Sequence, residues 1–521
     1  MKYSLLLILC IHSLFTIAQS TVLEENNSRI HIRHTGTFLS NSSYPNGAYE
    51  IPKTSDVQKK STLFISGLWI GAKTKDSVVH LSAMTYRQRG TDFWPGPISD
   101  KLDTAKYNKI YKVTQQDVED HKNGNRSTAD LLTWPGNGDT TNGEPWKLAP
   151  FYDLNGNTVY EPQLGDYPRF PGVSAAYCVF NDASIHQNSG GKPLNVDVHQ
   201  LIYQTAFSVG GVIVDDVNLV RFTLVNRGAD TLTDVQLGIF NDFDLGNSTD
   251  DFIGCDTRIS LAYVYNGLSS DAGSNGYGYT PPAFGIAMLS RPMASSIYFT
   301  NTSNSINGNP STWKDYHNFL NAKWKTGHHL RFGGDGITGS SGIASFMYPS
   351  YTDPNFPDND WNEKKEGNTP GDRTFLSTFE KTTLAPGTHE NFDFAYIYAR
   401  ALEGDNEASI STLKVKTRMI RSAYFNNLFG WKENNSLGGE QGEVLHNTHP
   451  IPSDNSIYPN PSTGHYSLEG NLGNQGGTVI NNLGLPIQSV PPHTRLIDLS
   501  SQPSGVYYFR TGGKSIKLIK L

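Results

Sequence analysis

The chain has 521 residues, more than one hydrophobic core ordinarily supports, so two or three domains are expected. Only 17% of its residues are charged while glycine alone numbers 50, a composition suited to strands and tight turns over helices. The net charge of −7, with no long basic block, excludes the electrostatic footprint of a nucleic-acid binder.

Met1 to Ala18 carries an early Lys2, an apolar run LLLILCIHSLF and the small-residue ending Thr16-Ile17-Ala18. This is the layout of a secretory signal peptide, too short for a membrane span. Cys10 lies inside the apolar run with Leu9 before it, where a lipoprotein site needs a small residue. Cleavage is therefore expected after Ala18. No later stretch approaches about 18 consecutive apolar residues, and the exported chain is expected to be soluble. Cys178 and Cys255 then remain as an even pair in an oxidising compartment. They are either a disulfide or two buried free thiols; sequence alone does not give their separation.

Residues 19 to 60 read as an entry segment or edge strands. STLFISGLWIGAK (Ser61 to Lys73) and SVVHLSAMTYRQ (Ser77 to Gln88) form a hairpin pattern about Thr74-Lys75-Asp76, and Lys106 to Val113 alternates like a strand. Thr114 and Asp117 make a capping pair for a short helix. Trp134 to Pro171 is nearly all turn signals, the kind of stretch that is functional or tied down. Within it, Asp153, Asn155, Asn157 and Glu161 stand at positions one, three, five and nine of a calcium-loop spacing. Thr158 occupies the position that favours glycine, and Leu164 the position of a bidentate acid. An Asx-rich turn capping its own backbone is the alternative.

Asn218 to Asp256 (NLVRFTLVNRGADTLTDVQLGIFNDFDLGNSTDDFIGCD) holds two strand patterns about a polar turn. Val220, Phe222 and Leu224 share one face of the first, and Val235, Leu237 and Ile239 one face of the second. Antiparallel pairing of the two against a second sheet predicts a β-sandwich. FDFAYIYA (Phe392 to Ala399) reads as a central strand buried on both faces. Asn406 to Leu428 places Ile410, Leu413, Ile420, Tyr424 and Leu428 at helical spacing. Such a basic amphipathic helix packs on the sandwich or lies on a membrane surface. The class is thus mainly β: a signal peptide at 1–18, a loop-rich β region at 19–171, a sandwich body with a late helix at 172–429, a linker at 430–455 and a small β-domain at 456–521.

Catalytic signatures are missing: there is no HExxH, GxSxG or paired CxxC, and the GxGxxG match at Gly334 to Gly339 lacks a following helix. His31 with His34, and His328 with His329, read as hydrogen-bonding groups or metal ligands. The acidic loop after Ile239 is the stronger candidate. Asp242, Asp244, Asp250, Asp251 and Asp256 repel one another unless water, a cation or backbone amides neutralise them. A calcium site using Asp242, Asp244, Asp250 or Asp251, a solvated face, and a paired-carboxylate glycosidase site all fit this loop.

The final segment reads SIYPNPSTGHYSLEG, TVINNLGLPIQSV and LIDLSSQPSGVYYFRTGGKSIKLIKL. It resembles the C-terminal sorting domain (type A) of type IX secretion substrates over about the last 65 residues. The residues that carry the likeness are Tyr458, Pro459, Asn460 and Pro461, then Gly484, then Asp498 and Leu499, then Gly505 and Tyr507. The resemblance implies export by the signal peptide, then passage to the outer cell surface or medium through the type IX machinery. SGLWIGA (Ser66 to Ala72), YRQRGTDFWPGP, LAPFYDLNGN, VNRGADTL and NDFDLGNSTDDFIGCD are similar to large secreted proteins that carry this domain. Those relatives read Asp-Gly where this chain has Asn157-Thr158. The likeness supplies no activity. A binding or structural surface module, calcium-stabilised, is the expectation, with no catalytic residues assigned. A hydrolase acting on an extracellular glycan and a component of surface adhesion or motility are the alternatives.

Overall fold

The computed structural model describes residues 20–521 apart from 42–46, 56–58, 210–211, 303–304, 340–341, 429, 431–436, 442–456, 459–461, 463, 469–475, 482–484, 495, 513 and 521. The expected signal peptide and most of the expected linker lie outside the described residues.

The chain is mainly β, and its body is a sandwich of two large sheets. One sheet has eleven strands, in the order Met293–Phe299, Arg373–Phe379, Leu232–Phe243, Ile65–Lys73, Leu39–Ser40, Arg29–Arg33, Tyr49–Glu50 and Ser61–Leu63, with three short strands on its flanks. The other has nine, running Asp251–Asp256, Leu261–Asn266, Ala283–Met288, His389–Ala399, Val217–Asn226, Val196–Gln204, Ser174–Asn181 and Trp94–Pro95, with Tyr111–Thr114 beside Ser174–Asn181. Strands from both sides of residue 171 share both sheets. The 61–88 hairpin forms as expected, Trp69 facing Ala83 and Lys73 facing Val79. Between Lys106 and Val113 the chain instead makes a helical turn, Thr104–Tyr107, before its strand begins at Tyr111.

The two strands of the Asn218 to Asp256 stretch do not pair with each other. Val217–Asn226 lies between Val196–Gln204 and His389–Ala399 in one sheet. Leu232–Phe243 lies between Ile65–Lys73 and Arg373–Phe379 in the other. The polar turn 227–231 therefore crosses from sheet to sheet, an arch in place of the expected hairpin. The apolar sets seen in the sequence face each other across the interior. Val220, Phe222 and Leu224 meet Val235, Leu237 and Ile239 in one core, all at most 1% exposed. Periodicity specifies which side chains point inward, and both arrangements satisfy it.

His389–Ala399 is buried on both faces because the nine-stranded sheet is covered on both. Phe392, Phe394 and Tyr396 enter the core between the sheets. Ala395, Ile397 and Ala399 enter a second core with Tyr177, Leu201 and Tyr263. The helix Asn406–Phe425 closes that second core with Leu413 and Ile420, and Asp405 caps it by accepting the N–H groups of Glu407 and Ala408. Burying two such side chains contributes about 3–6 kcal/mol, which ties the helix to the sheet and leaves Leu428 exposed. Among the described residues no helix is long and apolar enough to cross a membrane.

Residues 457–520 build a second, smaller sandwich. A three-stranded sheet (Ile457–Tyr458, His465–Leu468, Leu496–Asp498) and a four-stranded sheet (Pro486–Val490, Gly477–Asn481, Gly505–Thr511, Lys514–Lys520) share a core of their own. Tyr466, Val479, Ile497, Leu499, Phe509 and Leu518 fill it.

Candidate functional site

The outward face of the strand Leu232–Phe243 carries the chemistry. Alternation sends Leu237, Ile239, Asn241 and Phe243 inward, where Asn241 Oδ1 accepts from the hydroxyls of Ser66 at 3.0 Å and Tyr396 at 2.8 Å. Phe240 and Asp242 face the other way. Asp242 pairs across the sheet with Thr374 on one side and Ile65 on the other. Its carboxylate accepts from the Tyr86 hydroxyl at 2.9 Å and the Thr374 hydroxyl at 3.0 Å.

Two more carboxylates converge there. Asp244 follows the strand end, and Asp372 immediately precedes Arg373–Phe379; one oxygen of each of the three lies within 4.8 Å of the others. Asp242 is buried, Asp244 partly buried and Asp372 exposed, so the group opens to solvent at one side. Burial first, then the charges of Asp244 and Asp372, raise Asp242 well above the usual carboxylate range. Asp244 is pushed up to about 7 by burial and by Asp372. Burial also raises Asp372, opposed by its hydrogen bond with Asn301 and by the Arg373 charge. Three acids in one partly dry place hold their protons because burial and mutual repulsion outweigh the one cation that acts on them, Arg373 beside Asp372. A hard divalent cation with oxygen ligands supplies one, and calcium accepts an irregular carboxylate set with water completing its shell.

The other carboxylates of the loop go elsewhere. Asp251, fully buried, accepts the Leu245 N–H at 3.1 Å, and burial raises its pKa. Asp250, 7% exposed, stands beside it, and each has one oxygen without a hydrogen-bond partner among the described residues. Asp271, pushed up to about 6 chiefly by burial, is an acidic neighbour of both, and the Asp244 charge also reaches Asp251. Asp256 stands 3.4 Å from the Lys414 ammonium. Five residues close in sequence thus separate into three surroundings. The residue completing the triad, Asp372, is 128 positions from Asp244 and gave no sequence signal beyond preceding a strand.

In the earlier loop, Asp153 is 2% exposed. One of its oxygens accepts the N–H groups of Gly156 and Asn157, at 2.7 and 3.3 Å, and the other that of Thr158 at 2.6 Å. The Asn155 and Asn157 carbonyl oxygens accept from the N–H groups two residues on, and their amides donate to Glu161. These are Asx turns, and they hold Thr158 at φ 66°, where glycine would be unstrained. Asp166 lies near enough for Asp153 and Glu161 to raise it, although burial is the larger cause.

Both cysteines are free and buried. Cys178 is on Ser174–Asn181 and Cys255 on Asp251–Asp256, six strands apart in one sheet. At about 4.8 Å per strand they stand roughly 29 Å apart, where a bridge needs Cα atoms within about 7 Å. The Cys255 thiol donates to the Met347 carbonyl oxygen at 3.3 Å.

Of the sorting-domain residues, Pro459, Asn460, Pro461 and Gly484 lie outside the described residues, and Tyr458 is described only as part of its strand. Leu499 is buried, and Tyr507, 5% exposed, donates its hydroxyl to the Pro503 carbonyl oxygen at 2.7 Å. Asp498 is exposed and accepts the Ser500 N–H at 2.8 Å. Gly505 opens the strand that carries Tyr507. Lys520 donates to the carbonyl oxygens of Ser500 and Gln502, tying the terminal strand to the segment before Gly505.

No protein-family model matches the chain, and no curated protein matches it. Among solved structures, a polysaccharide lyase aligns over 87% of this chain at 10% identity with a TM-score of 0.20; the chain spans 46% of that protein. An Escherichia coli K12 protein provisionally named an aldose 1-epimerase aligns over 64% of this chain and 100% of its own length, at 11% identity and a TM-score of 0.20. At that overlap neither likeness carries an argument about fold or activity.

Proposed function

We propose that this chain is an exported cell-surface or secreted protein, delivered by type IX secretion through residues 456–521, whose body is a binding or structural sandwich stabilised by calcium. The observation that carries the calcium reading is the Asp242, Asp244 and Asp372 triad, with one oxygen of each within 4.8 Å of the others. Oxygen-only donors favour a hard cation over zinc or copper. Loss of a calcium-dependent rise in melting temperature on Asp372→Asn tests it, and a calcium-independent melt ends it.

The export reading rests on the ordered motifs of the tail and is supported by its separate core. Deleting 456–521 and fractionating cells tests it: normal surface delivery of the truncated protein ends this reading.

One feature favours a second reading, action on an extracellular polysaccharide. A cleft of about 600 Å³ is lined by Asp353, Glu380 and Arg258 together with the apolar Met293, Phe346 and Pro354. A screen of glycan binding and hydrolysis, with and without calcium, separates the two; neither binding nor turnover removes the carbohydrate reading.

A further inference from the structure

Two deeply buried arginines show how this chain neutralises such a charge. Arg221 forms a two-pronged pair with Asp393, at 2.7 and 2.8 Å. Arg373 does the same with Glu363, at 3.0 and 2.8 Å. A third place breaks the pattern. The strand Arg29–Arg33 runs into a turn at His34, Thr35 and Gly36, and Arg87, from the turn after Val79–Ala83, docks on it. One Arg87 nitrogen donates to the carbonyl oxygens of His34 and Thr35, at 2.6 and 3.3 Å, and to the Thr35 hydroxyl at 2.7 Å. All three acceptors are neutral.

Arg33 lies close enough that its charge, after burial, helps bring Arg87 down to about 10. No ion pair of Arg33, His34 or Arg87 occurs among the described residues, and the Nε atoms of both arginines are buried without a partner. His34 is 2% exposed; its Nε2 is 2.8 Å from Asn108 Oδ1, and its Nδ1 has no partner. The turn is held rigidly. Thr35 and Gly36 take φ 65° and 82°, and a Cβ on Gly36 would meet the Phe93 ring at 2.3 Å.

Desolvated like charges near one another are costly unless a countercharge joins them, and a guanidinium fork fits an oxyanion in two-point fashion. We propose that Arg33, His34 and Arg87 form a binding site for an oxyanion, the carboxylate, sulfate or phosphate group of a ligand outside the chain. Arg33 and Arg87 are only partly buried as whole residues. The site shares no residue with the acidic triad.

The test is thermal unfolding of the full chain in sodium sulfate, phosphate or acetate against chloride at matched ionic strength, for the wild type and Arg33→Gln. Arg33 makes no side-chain bond that the turn needs, so the variant folds and in chloride melts at or above the wild type, because a like charge has gone. In at least one oxyanion the wild type gains about 3 °C at saturation, and Arg33→Gln gains less than half of that. The anion that works identifies the planar or tetrahedral class. No difference between oxyanions and chloride, or an equal gain in Arg33→Gln, overturns the proposal.

Discussion

Raising the pH without calcium destabilises the body by an amount that follows from Asp244. Its carboxyl moves from an ordinary 3.8 to about 7 in the folded chain, through burial and then the Asp372 charge. The folded state therefore holds this proton more tightly than the unfolded one. Stability present below pH 3.8 is lost as the pH rises through about 7. The interval is about three pH units at about 1.4 kcal/mol each, so about 4 kcal/mol, with Asp242 and Asp372 titrating together with it. With an unfolding entropy of about 2.1 cal/mol/K per residue over about 400 residues, that amounts to a fall of about 5 °C. Calcium at a hundred-fold excess over its Kd stabilises by about 2.7 kcal/mol and replaces the proton, so it flattens the profile. Circular dichroism melts between pH 4 and 8, with EDTA or with millimolar calcium, measure both effects. Asp244→Asn is expected to flatten the EDTA profile and weaken the calcium response. A flat EDTA profile in the wild type, or an undiminished calcium shift in Asp244→Asn, refutes this account of the triad.

Glu363→Ala strands the Arg373 guanidinium, 6% exposed, and is expected to cost about 3–5 kcal/mol in urea unfolding; a loss under 1 kcal/mol shows the pair to be dispensable. In a chain beginning at Gln19, Cys178 and Cys255 are expected to react with a thiol reagent only after denaturation, because both are buried and burial raises both thiol pKa values. Rapid reaction of the native protein, or a linked peptide on non-reducing mass spectrometry, contradicts the six-strand separation. Phe509→Ala removes a fully buried side chain from the core of the C-terminal unit, at a cost of about 3–5 kcal/mol. Limited proteolysis of the full-length variant should then cut within 457–520 while the main melting transition stays in place; unchanged resistance there argues against a separately cohering unit.

The fold was legible wherever one strand or helix stated its own burial. Alternation in Phe392 to Ala399 announced a strand covered on both faces, and two cores meet there. The Thr114 and Asp117 pair marked a helix start, and both halves of that capping box form. Pairing was less legible, because inward alternation is the same whether two successive strands lie side by side or face each other. The five residues Arg227 to Thr231 between the two strands can turn back within a sheet or arch across to the other. The sandwich class was therefore readable from Asn218 to Asp256, while the arch was not.

The site follows the same logic, one level up. Asp242 and Asp244 were visible as acids at a strand end, and sequence proximity added Asp250 and Asp251 to them. What assembles the triad is register. The pairing of Asp242 with Thr374 places residue 372 two positions further along the neighbouring strand, beside the residue two past Asp242. Antiparallel partners run in opposite senses, so 242 plus two meets 374 minus two, and Asp244 finds Asp372. Displacing the two strands by one residue would turn one acid to the opposite face and dissolve the triad without changing a single carboxylate. The acidic triad is thus a property of the pairing between Leu232–Phe243 and Arg373–Phe379, which single-strand patterns do not contain.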